Sequence, residues 1–136
     1  MYGKLACLLL FVSAISAASL PQHQNHQHLT PHKDECVKGQ DHSLKLGTRV
    51  NGDRQVYEFA LGMSSSNSVL EKDWTFNSDL LGSGETITYL EVLDNEHGQG
   101  GCASVVEGGV GQKFVKLHFK TANNGSFNYV VNVYGK

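Results

Sequence analysis

Most of the patterns that announce catalysis are missing from this chain. Its 136 residues contain no Gly-x-Ser-x-Gly elbow, no His-Glu-x-x-His pair, no calcium loop and no four-ligand zinc spacing, so the familiar hydrolase, metalloprotease and EF-hand signatures are absent. Gly108-Gly109-Val110-Gly111-Gln112-Lys113 and Gly98-Gln99-Gly100-Gly101 are glycine-rich, but the first lacks a Lys-Ser/Thr ending and neither leads into a helical pattern. Both read as turns and bulges, not phosphate loops. The acidic residues form no recognisable pair. The expectation is a non-enzymatic protein without a cofactor.

Other absences narrow the partners. With a formal net charge of -2 and no long basic stripe, the chain lacks the footprint of a nucleic-acid binder. The row Lys113, Lys116, Lys120 reads as the solvated face of one strand. After the first fifteen residues or so, no apolar run is long enough to span a bilayer, so no membrane partner is expected. No helical period persists beyond about three turns. What remains is binding to a protein or a small ligand, in an unknown oligomeric state.

The signal that is present is two-residue alternation. Val115, Leu117 and Phe119 fall on one face of their run and Lys116, His118 and Lys120 on the other. Phe127, Tyr129, Val131 and Val133 alternate in the same way against Asn128 and Asn132. Between these runs, Asn124-Gly125 has the chemistry of a tight hairpin turn, with positive φ angles. Residues 86–94 and 103–107 supply two further runs rich in β-branched residues. Together the four predict an antiparallel meander over residues 86–136. Upstream, residues 55–61 alternate Tyr57, Phe59 and Leu61 against Glu58, residues 62–68 read as a loop, and Trp74 and Phe76 share a face. Trp74 reads as a core anchor, with a ligand platform as the alternative. The predicted fold is all-β: one small antiparallel sandwich or flattened barrel over residues 36–136.

The N-terminus has a different character. Lys4 precedes the apolar run 5–15, and small residues Ser16, Ala17 and Ala18 follow. This is the pattern of a secretory signal peptide over residues 1–18, cleaved after Ala18 or Ala17; the alternative is a buried N-terminal helix. Residues 19–35 are rich in Gln and His and poor in apolar mass, which reads as a disordered arm. His23, His26, His28 and His32 in that arm are weak candidates for zinc or copper, against a plain low-complexity tail. Removal of the leader takes Cys7 with it. Cys36 and Cys102 then remain for an exported protein, which points to one disulfide, with intermolecular pairing or free thiols as alternatives. Asn124-Gly125-Ser126 is a glycosylation sequon, although turn chemistry also accounts for the Asn-Gly.

Several segments, taken in order, resemble a known family. Asp41-His42-Ser43, Leu46-Gly47-Thr48-Arg49, Gly52-Asp53, Ile87-Thr88-Tyr89-Leu90-Glu91-Val92-Leu93-Asp94, Gly108-Gly109-Val110-Gly111, Phe114-Val115-Lys116-Leu117-His118-Phe119-Lys120 and the closing run 127–135 are similar in order and spacing to the insect multiprotein bridging factor 2 family. That resemblance covers residues 41–135 and implies no catalytic residues. The family name implies a transcription coactivator that bridges a nuclear receptor and the basal machinery. Members with an export signal resemble small secreted salivary, venom-gland or haemolymph proteins. The expectation is therefore a secreted, extracellular, non-enzymatic binding protein, with the coactivator as the alternative.

Overall fold

The computed structural model describes residues 36–136; the expected leader and the arm bearing His23, His26, His28 and His32 lie outside the described residues. Seven strands follow in order: β1 (Leu44–Gly47), β2 (Arg54–Ser64), β3 (Glu71–Asn77), β4 (Ile87–Asp94), β5 (Gly101–Gly108), β6 (Phe114–Thr121) and β7 (Ser126–Gly135). They form two antiparallel sheets, one ordered β1-β4-β7-β2 and the other β3-β6-β5. The sheets do not close into a barrel, so the architecture is a two-layer sandwich.

The core is the dry half of each alternation. Leu90 and Val92 of β4 and Phe127, Tyr129, Val131 and Val133 of β7 face Phe76 of β3 and Val115, Leu117 and Phe119 of β6, all buried. Phe119 lies at the centre, with ring centroids 5.9 Å from Phe127 and 5.6 Å from Tyr129. Such aromatic clusters contribute both buried area and edge or offset contacts. The Tyr129 hydroxyl is fully buried without a hydrogen-bond partner among the described residues, and burial pushes the phenol's pKa up. An unsatisfied buried hydroxyl costs about 1–3 kcal/mol. Tyr129→Phe is therefore expected to stabilise the protein by about 1 kcal/mol in urea unfolding, and a loss of stability would show that the hydroxyl is satisfied.

Two expectations need correction. The last four strands are not a meander, and β6 and β7 are not a hairpin: β4 and β7 lie in one sheet, β5 and β6 in the other. Alternation tells which side of a strand is dry, but two dry faces can meet across a core as well as side by side. Residues 122–125 therefore form an arch between layers. Gly125 N–H donates to the Ala122 carbonyl at 3.0 Å, and Asn124 alone of the Asn-Gly pair takes a positive φ, 55°, as the third residue of a type II turn does. Gly125 is needed for room instead, since a Cβ there would stand 2.9 Å from the Gly100 carbonyl oxygen. The second correction concerns residues 62–64. Expected in a loop, they extend β2 because Gly62, Met63 and Ser64 continue the register with Asn128, Phe127 and Ser126.

The connections gather at two poles. At one, Ser65 N–H donates to Gly125 O at 2.9 Å, Ala122 N–H to Gly100 O at 2.5 Å and Gly39 N–H to Gly98 O at 2.8 Å. At the other, Ser78 N–H donates to Lys113 O at 2.9 Å and Ile87 N–H to Gln112 O at 2.8 Å. The segment from Cys36 to Ser43 straps across the first pole, with Lys38 Nζ donating to the Asn124 carbonyl at 2.5 Å.

Candidate functional site

Along one side of the sandwich the edge strands β2 and β3 flank each other without pairing. Their inward side chains close the seam incompletely. Phe59 of β2 stacks on Trp74 of β3 with centroids 4.3 Å apart and planes 18° apart. Tyr57 lies 5.8 Å from Trp74 and 5.6 Å from Phe76. Beside these rings opens a cavity of about 200 Å³ lined by Tyr57, Trp74, Thr75, Phe76, Asn77, Leu80 and Leu81. Its position follows from the sequence: four aromatics stand at the alternating inward positions of two edge strands, and among the described residues no further strand covers them.

The loop after β3 supplies the outer wall. Asn77 Oδ1 accepts the Asp79 and Leu80 N–H groups at 3.0 and 3.2 Å, an Asx turn that bends the chain out of the strand. The loop base is pinned by buried Ser78, whose hydroxyl donates to the Glu85 carbonyl at 2.7 Å, and by the Lys113–Asp79 ion pair at 3.0 Å. Leu80 and Leu81 are left 85% and 56% exposed. They stand at the loop tip beside the aromatic cavity and line it. None of the lining side chains is a carboxylate, imidazole or thiol, and the lining is mostly apolar.

The outer face of the β3-β6-β5 sheet has the opposite character. Lys116 pairs with Asp73 at 3.0 Å and Lys120 with Glu71 at 3.5 Å, while Lys113 is engaged by Asp79. The expected basic row is thus neutralised strand by strand. Asp73 also contacts His118 Nδ1 at 2.7 Å, and these hydrogen bonds, from His118 first and Lys116 second, lower its pKa. Ser104 is the register partner of His118 on the far side, yet no hydrogen bond joins them among the described residues. At the second pole, Asp53 is held down at a pKa of about 2, chiefly by hydrogen bonds from Arg49 and from the Val50 N–H. The Arg49 guanidinium also lies 3.8 Å over the Tyr134 ring.

The remaining sequence candidates fall at the first pole. Cys36 and Cys102 are brought together with Cα atoms 5.3 Å apart, inside the range for a disulfide. Asn124 is exposed. Its side-chain oxygen accepts the Asn67 N–H at 2.7 Å. Among the described residues no three His, Cys, Asp or Glu side chains gather as a metal site. Sequence reasoning placed Trp74 in the core; it is half-buried there, packed on Phe59, and it also lines the cavity. The same reasoning missed Leu80 and Leu81, although an apolar pair inside the polar run 77–86 was a usable signal.

Fold and seam together define a small antiparallel β-sandwich with an open apolar groove between two edge strands. The family model described as "Transcription activator MBF2" matches residues 46–135, and the chain belongs to that family. It is also 32% identical over 97 residues to a "Probable salivary secreted peptide" of Bombus ignitus, with 70% of each chain covered. No solved structure matches.

Proposed function

We propose that this chain is an exported, non-enzymatic binding protein that holds an apolar group, from a small ligand or a partner side chain, in the seam between β2 and β3. The groove of about 200 Å³ walled by Tyr57, Trp74, Leu80 and Leu81 carries this reading. Full burial of one apolar side-chain-sized group there is worth about 1.5–3 kcal/mol before other contacts are counted. Export is supported by the leader pattern of residues 1–18, by a cysteine pair within bridging distance, and by the secreted relative. In this reading Cys36 and Cys102 form an intramolecular disulfide, and Asn124 is open to glycosylation.

The protein carries a single tryptophan, and it lines the groove, so its emission is a direct probe. Titration with a six-carbon alcohol is expected to shift Trp74 fluorescence saturably. Leu81→Asp should weaken binding about tenfold, the equivalent of one lost apolar contact of about 1.4 kcal/mol. Unchanged emission up to millimolar ligand would sink the groove as a site. Export has its own test in the intact mass of the native protein. A chain beginning at Ser19, lighter by two hydrogens for the disulfide, is expected. A chain that retains Met1 with both thiols reduced would instead favour the second reading, a coactivator, for which the family's description speaks.

A further inference from the structure

A sandwich of two open sheets has four edges, and exposed edges invite pairing with other chains unless they are guarded. Among the described residues, three of the four are guarded. β1 is four residues long. β3 opens with Glu71, Lys72 and Asp73. β5 is interrupted by a register shift between Val105 and Glu107 and has Cys36 lying against Cys102. The fourth, β2, is eleven residues long, and its only register irregularity lies at Gln55/Tyr57. From Tyr57 to Ser64 the pairing with β7 is regular, Glu58 is the only charge, and there is no proline.

We propose that the outer edge of β2 is where two copies of this chain pair, antiparallel about a two-fold axis through Ala60, joining their four-stranded sheets into one. The edge is complementary to itself. Ala60 is the midpoint of residues 57–63, and about that midpoint Tyr57 meets Met63, Phe59 meets Leu61 and Glu58 meets Gly62. The half-buried inward set Tyr57, Phe59, Leu61 and Met63 stays on one face, as an intact two-residue period requires. No like charges oppose one another, and a small side chain, Ala60, sits on the axis, where each copy meets itself. A two-fold pairing also closes on itself and leaves no free β2 edge to propagate, which an unguarded edge on a monomer would do.

Cysteine scanning of the full chain tests the register. Directly opposed residues of an antiparallel pair have Cβ atoms about 4.5–5.5 Å apart, so Ala60→Cys is expected to give a covalent dimer under mild oxidation. Glu58→Cys, whose partner is Gly62, should give at least tenfold less. Sedimentation equilibrium of the unmodified protein should show the mass doubling as concentration rises. Ala60→Lys, an exposed substitution that sets two ammonium groups face to face, should weaken association at least tenfold with far-UV circular dichroism unchanged. A monomer at every concentration up to millimolar, a dimer indifferent to Ala60→Lys, or equal cross-linking at both cysteine positions would each overturn the proposal.

Discussion

Truncation of Phe119 to alanine is expected to lower the free energy of unfolding by about 3–5 kcal/mol, the range for a fully buried aromatic. The reason lies in its neighbours. Phe119 is completely buried and packs on three rings of the opposite layer: Phe59, 6.4 Å away edge-on, and Phe127 and Tyr129. These side chains come from β2 and β7, which are already locked in register with each other, so they cannot collapse into the space left behind. A cavity that cannot relax sits at the costly end of the range. Urea unfolding monitored by Trp74 emission would measure it. A cost below about 1.5 kcal/mol would mean that the two layers slide together to fill the gap, and that the packing between them is looser than described.

The second large effect concerns Cys36 and Cys102. They are 66 residues apart in sequence, and in the chain-entropy model a bridge closing a loop of that length would contribute about 4 kcal/mol, chiefly by restricting the unfolded chain. Replacing both residues by serine should therefore lower stability by about 4 kcal/mol. Reduction of the unmodified protein should do the same, and a reductant should leave the double variant unaffected. Position adds a local consequence. Cys36 anchors the strap that runs to Ser43, whose hydroxyl accepts the Asp94 N–H at 3.0 Å. Loss of the bridge should therefore speed amide exchange at Gly39 and Asp94 before the central strands. If reduction leaves the unfolding midpoint where it was, the two thiols are not joined in solution.

How much of this was legible in the sequence depends on which physical rule each feature obeys. Strand existence obeys the two-residue period, and the dry residues of β6 and β7, from Val115 to Phe119 and from Phe127 to Val133, are those the alternation picks out. Strand partnership obeys packing between layers, which the period does not encode. The Asn-Gly at 124–125 therefore gave the place of a turn but not whether the chain stayed in its sheet. β2 ran past its expected end because β7 offers ten residues to pair with, a fact about the partner and not about Gly62. The seam was partly visible in Tyr57, Phe59, Trp74 and Phe76. That these aromatics sit at two edges, where nothing covers them, became apparent only once the sheet order was known.

That sheet order also shapes how the molecule assembles. The chain changes layer at four of its six strand connections, so neither sheet is built from a contiguous stretch and neither can mature while the other waits. Assembly must bring distant parts of the chain together at once, which makes the search for the native topology slow compared with a helical protein of equal size. A nascent chain synthesised as far as β6 would still lack β7, the strand that joins β2 to β4. The decisive step must therefore await β7 itself, and the four-stranded sheet stays in two pieces until that strand has been made.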